Sequence, residues 1–219
     1  MKSTIARKTL MSLTGLFLCL FLVIHLLGNL QLFLGEDQAQ TQFNWYAEKL
    51  SHLLVIKIAA IGTYIAIVAH CLLALVITAR NRRATGSGYK AASPVAQTSW
   101  YSRCMGILGF VILVFLTVHM ADFWFPYKTG VDIGWDDEGR RDLYGLVAFK
   151  FQSLWRIVLY EIGVLAIGFH LIHGFYSGFR SLGLHRPGYA RIVRWAGYGL
   201  AVVATIGFAA MPLYMFLSP

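Results

Sequence analysis

The stretch IGFHLIHGFYSGFRSLGL, residues 167–184, decides how this chain is read. It sets two histidines, His170 and His173, inside an apolar run that ends in small residues and Arg180. A polar ring buried in hydrocarbon is costly without a partner, so an intramembrane histidine marks a functional site unless a neighbour accounts for it. Apolar runs long enough to cross about 30 Å of hydrocarbon at roughly 1.5 Å per residue recur near residues 10–34, 53–77, 105–125, 154–179 and 192–217. They predict an all-α membrane protein with five transmembrane helices, forming a single domain over residues 1–219. No proline interrupts these runs before Pro212.

Composition excludes the soluble classes. Hydrophobic residues make up 58% and charged residues 13% of the chain, whereas soluble domains carry about a quarter charged residues. A net charge of +9 would suggest nucleic acid in a soluble protein, but here the cations cluster between apolar runs and report topology instead. Cys19, Cys71 and Cys104 form no CxxC pair, which leaves disulfides, iron–sulfur ligation and covalent haem attachment unsupported. Lys2, Arg7 and Lys8 before an apolar run imitate a signal peptide, yet no small-residue cleavage site follows, so the run is read as a retained first span.

Twelve of the nineteen basic residues, and no acidic one, fall in the N-terminal segment, the second loop (Arg80, Arg82, Arg83, Lys90, Arg103) and the fourth (Arg180, Arg186, Arg191, Arg194). This asymmetry predicts that these segments are cytoplasmic, with the N-terminus inside and the C-terminus outside. Trp45, Trp100, Trp124, Trp155 and Trp195 lie near span ends, where amphipathic rings favour the headgroup level. The long third loop carries WDDEGRRD, residues 135–142, expected as an exposed outer cap.

Each of the first four runs holds a histidine well inside it: His25, His70, His119 and His170. Counted from the cytoplasmic starts of their spans, His25 and His119 sit roughly 21 to 23 Å up. His70 and His170 run the other way and sit roughly 24 to 26 Å down from the outer side. Alternating chain direction thus makes two pairs at matched heights. A lone intramembrane histidine is commonly a helix-to-helix hydrogen-bonding residue, but four at two depths predict two bis-histidine haem sites stacked in a bundle of the first four helices. Gly28, Ala66, Ala74 and Gly174, three or four residues from ligands, are read as leaving room for porphyrin.

This pattern resembles the di-haem, single-chain cytochrome b membrane anchor of bacterial succinate dehydrogenases and fumarate reductases. The resemblance covers nearly the whole chain: five spans, a histidine in each of the first four, and a histidine followed four residues on by glycine, His170 and Gly174. It implies that His25 and His119 ligate the outer haem b and His70 and His170 the inner one. It also implies a cytoplasmic FAD-bearing flavoprotein and an iron–sulfur subunit as partners, a quinone, with menaquinone favoured over ubiquinone, and location in the bacterial inner (plasma) membrane.

Quinone reduction consumes protons, so titratable groups near the outer site are candidates. Glu48 is suggested by the resemblance, and Asp122 by its place one turn beyond His119 at a helix carboxyl end. Glu161, inside the fourth span, is expected to pair with Lys57 or Arg156. Arg180 and Ser12 inside, with Lys150 or Arg156 outside, are candidate partners for propionates, and His173 is a neighbour of that surround. The competing readings are an anchor of another quinone-linked dehydrogenase, such as a hydrogenase or formate dehydrogenase, and a haem-free transporter with a histidine proton relay.

Overall fold

The computed structural model describes residues 4–84, 104–184 and 186–217, and every regular element among the described residues is a helix. Lys2, Lys90, Trp100, Arg103 and His185, and the side chains of Arg82 and Arg83, lie outside the described residues. The elements are α1 (Thr4–Asn29), extended by a 3₁₀ turn over Leu30–Phe33, then α2 (Glu36–His52) and α3 (Leu54–Ala84). They continue with α4 (Met105–His119), a π-helical turn (Met120–Trp124), α5 (Phe125–Thr129), α6 (Leu143–Phe151), α7 (Leu154–Ser181) and α8 (Pro187–Leu217). Five segments are long and apolar enough to cross a membrane: Ile5–Phe33, Leu54–Arg80, Met105–Thr129, Leu154–Ser181 and Pro187–Leu217.

The third span outruns the sequence reading, continuing through Pro126 to Thr129. Proline has no N–H to offer the carbonyl four residues back, here Asp122, and its ring crowds that carbonyl. The wider π turn falls at this point and relieves both problems without ending the helix. The span stops at Gly130, whose φ of 78° suits glycine and whose N–H donates to the Pro126 carbonyl at 2.8 Å. Arg141 reaches over to donate to the carbonyls of Tyr127 and Lys128, satisfying two more helix-end acceptors.

The fourth span is the axis of the bundle. In its most apolar window 39% of residues are buried, against 11% for the second span. It packs along α8, α4 and α1. Gly163 lies under Phe115 of α4 and Gly168 under Thr205 of α8, so closely that any Cβ there would clash. Small residues that let backbones approach supply packing in lipid, where burial of apolar surface drives nothing. The third span packs along the fourth and scarcely along the second, to which it is tied by the Trp124 indole N–H donating to the Tyr64 hydroxyl at 2.6 Å. The fifth span also joins the bundle, against α7 and α1.

At the face reached by the far ends of α1 and α4, here the loop face, α2 forms a lid. Its stripe of Ala39, Phe43, Tyr46, Ala47 and Leu50 repeats at helical spacing, with acidic residues in its first turn and Lys49 and His52 in its last. Asn44, 1% exposed, fastens this helix to the third loop. Its amide donates to Asp142 at 2.9 Å and Asp136 at 3.2 Å, and its oxygen accepts from the Tyr144 N–H at 3.0 Å. The WDDEGRRD cap is therefore not uniformly exposed: Arg140 is buried and the Asp136 side chain is 5% exposed, because they pair at 2.8 Å and Asn44 closes the network. Trp135 remains exposed.

Burial of Asp136 opposes its ionisation, yet hydrogen bonds from the Arg140 backbone and guanidinium and from Asn44, with the Arg140 charge, hold its carboxyl below its ordinary value of 3.8. A carboxyl depressed in the native state contributes stability that is present above its unfolded value and lost as pH falls through the native one. The cap is expected to keep its slow amide hydrogen exchange at pH 7 and to open below about pH 4. Asn44→Ala is expected to open it at neutral pH, at a cost of about 1–3 kcal/mol. Unchanged protection at residues 136–144 in that variant would disprove the clamp.

Candidate functional site

Helix packing brings the four histidines together in two pairs. His25 of α1 and His119 of α4 meet near the loop face, with ring centroids 5.8 Å apart and planes at 89°. His70 of α3 and His170 of α7 meet toward the amino-terminal face, 6.2 Å apart at 66°. Each pair joins helices that are not neighbours in sequence. Two imidazole–metal bonds of about 2 Å each, plus the distance from nitrogen to ring centre, put the centroids of an axial pair about 6 Å apart. Among the described residues no group of three or more His, Cys, Asp or Glu converges as a bare metal ion would require. Each pair would offer two facing imidazoles to a group held between them.

The ring nitrogens differ between the sites. Nδ1 of His70 lies 3.1 Å from the Thr14 hydroxyl. Nδ1 of His119 and of His170 is buried without a hydrogen-bond partner among the described residues. The Asn29 amide nitrogen is 3.4 Å from Nδ1 of His25 and donates to that residue's own carbonyl at 2.7 Å. Aromatic rings wall the loop-face pair: Phe21 stacks on His25 at 5.3 Å, and Phe208 of the fifth span lies 5.7 Å from it. Phe115, Phe123 and Tyr160 surround His119 at 5.7, 5.4 and 6.0 Å.

Asp122 is not a solvated helix end. It is buried in the π turn just beyond His119, and accepts hydrogen bonds from the Arg156 guanidinium and the Tyr160 hydroxyl, each at 3.2 Å, with the Lys150 ammonium at 3.5 Å. Tyr160 thus touches both His119 and the carboxylate. Two cations on one carboxylate leave a net positive charge beside the loop-face pair, a setting that receives an anion or steadies a charged intermediate. The expected pairing of Glu161 fails: Arg156 is taken by Asp122, no ion pair joins Glu161 to Lys57, and Oε1 of Glu161 is buried without a partner among the described residues.

The remaining sequence candidates are dispersed. Glu48 lies half-buried on the lid helix α2, its carbonyl accepting from the Ser51 hydroxyl at 2.7 Å. Ser12 is buried on α1 and donates to the Lys8 carbonyl at 2.9 Å. His173 is half-buried and Arg180 exposed toward the carboxyl-terminal end of the fourth span. Gly28 does not leave space for a ligand, since the Tyr46 ring of the lid fills it, 3.0 Å from where a Cβ would stand. Gly174 does leave space: only the His170 ring comes within 4 Å of a Cβ there. Thr14, Phe208 and Tyr160 were not candidates from sequence. No family model matches the chain, and no curated protein or solved structure matches it.

Asp122→Asn is expected to leave Arg156 and Lys150 without their counter-charge in a buried setting and to destabilise by about 3–5 kcal/mol, read by thermal unfolding in detergent. Glu161→Leu removes an unpartnered buried oxygen and is expected to raise stability by about 1–3 kcal/mol. A lower melting temperature for Glu161→Leu would show that the carboxyl has a partner after all.

Proposed function

We propose that this chain is the membrane anchor and electron-transfer subunit of a succinate:quinone oxidoreductase, acting as a succinate dehydrogenase or fumarate reductase, with two bis-histidine b haems. The observation that supports it is the pairing of one histidine from each of the first four spans, His25 with His119 and His70 with His170, at separations that suit axial ligation. On this reading His25 and His119 hold the outer haem, and His70 and His170 the inner one. Haem held by two imidazoles is six-coordinate and supplies one-electron transfer rather than oxygen chemistry.

The protein's own residues do the rest. The aromatic wall of Phe21, Phe115, Phe123 and Phe208 keeps water from the outer pair. Arg156 and Lys150 offer positive charge to a propionate or to a reduced quinone, and Asp122 with Tyr160 forms a hydrogen-bonded pair able to hold a proton beside the same site. Glu48, on the lid, is the alternative proton group. Menaquinone is the quinone this reading favours. The succinate and fumarate chemistry belongs to partners, a flavoprotein with FAD and an iron–sulfur subunit, docking on a cytoplasmic amino-terminal face that carries Arg180, Arg191 and Arg194. The orientation follows the basic residues, with the bacterial plasma membrane as the setting.

A reduced-minus-oxidised spectrum of the purified protein is expected to show b-type α bands, with about two haems per chain. His70→Ala and His170→Ala are each expected to lose one and the same component, and His25→Ala and His119→Ala the other. No dithionite-reducible α band would overturn the reading in favour of a haem-free transporter. Loss of one component on changing both His70 and His119 would overturn the pairing.

A further inference from the structure

We propose that Thr14 is the positioning residue of the inner site: its hydroxyl accepts the Nδ1 proton of His70 and holds that ring in the tautomer whose Nε2 carries the free lone pair. Its consequence rests on the haem reading, though the hydrogen-bond assignment stands by itself. Thr14 is buried on α1, and its oxygen lies 2.9 Å from the Leu10 carbonyl and 3.0 Å from the Met11 carbonyl. A hydroxyl has one proton and two lone pairs. With the single proton given to an α1 carbonyl, as the 2.9 and 3.0 Å contacts allow, a lone pair faces Nδ1 of His70 at 3.1 Å, and in the proposed arrangement that nitrogen carries the hydrogen.

Gly15 completes the cradle, because a Cβ there would stand 3.1 Å from Cε1 of His70 and push the ring off the helix.

Of the four paired histidines, His70 is the one whose Nδ1 lies beside a hydroxyl held on a neighbouring helix, whereas those of His119 and His170 have no partner among the described residues. Donation from the second nitrogen fixes a ligating imidazole and makes it more basic. A more basic ligand favours the oxidised metal, so the Thr14 bond lowers the potential of the haem held by His70.

The test compares Thr14→Val, of equal size without the hydroxyl, with Thr14→Ser, in the full complex in native membranes. Redox titration is expected to show the inner component shifted upward in Thr14→Val, its retention weakened roughly 10-fold or more, the outer component unmoved, and Thr14→Ser restored to wild type. Nitrogen-15 NMR of histidine-labelled, haem-depleted protein is expected to show His70 protonated at Nδ1, and a mixture of tautomers in Thr14→Val. Unmoved potentials in Thr14→Val, or equal shifts in both variants, would overturn the role. If the wild type binds no haem, the functional reading fails and the NMR arm alone decides the hydrogen bond: a ring protonated at Nε2 would sink it.

Discussion

A histidine ring in hydrocarbon has two nitrogens to account for and no water to help, and the arrangement of this bundle follows from that constraint. Spans one and three, and spans two and four, meet at their histidines although the chain does not run directly between them. The third span packs along the fourth for most of its length and still brings His119 against His25 of the first. Apolar packing in lipid has little preference among such arrangements. The polar rings supply the preference, because each has its facing partner in only one order of helices.

The fourth span converts this into a shared frame. Arg156 and Tyr160, four residues apart, share a face and meet at Asp122 of the third span. Gly163 and Gly168 then bring the third and fifth spans close on either side, and His170, just beyond Gly168, completes the pair near the amino-terminal face. The π turn belongs to the same frame. It adds a residue to the helical ladder after His119 and so rotates the remainder of the span, and Asp122 ends buried against α7 rather than in solvent.

Span number, helical class and the four histidines were legible because length and hydropathy act along a single helix. The height match came from counting rise per residue, and the structure brings those residues together. What escaped was set between helices. Thr14 reads as an ordinary hydroxyl, back-bonded to its own helix, until α3 is placed beside it. Asn44 and Asp142 are 98 residues apart, and nothing in either neighbourhood announces the other. Glu161 was expected on Lys57 or Arg156, but five residues turn a helix by about 140°. Arg156 therefore faces the third span, and its choice of Asp122 was invisible without that span's π turn. Gly28 misled for a related reason, since small residues admit whichever ring is nearest, and here it is Tyr46 of a lid that the apolar runs did not reveal.

The two pairs share a donor set and differ in their surroundings, and on the proposed reading that difference is functional. The outer pair sits among phenylalanines and beside two cations on one carboxylate, a field that favours an added electron. The pair near the amino-terminal face has a threonine that, as proposed above, enriches one ligand, which favours its removal. Haem potentials respond to burial, nearby charge and hydrogen bonding at the ligand. Considered alone, these surroundings bias the electron outward, toward the face where Asp122 and Tyr160 can manage a proton. A symmetric pair of sites would carry electrons equally well in either direction. This bundle obtains its asymmetry from residues that never touch a metal: one hydroxyl on the first span, and one carboxylate turned inward by a π turn on the third.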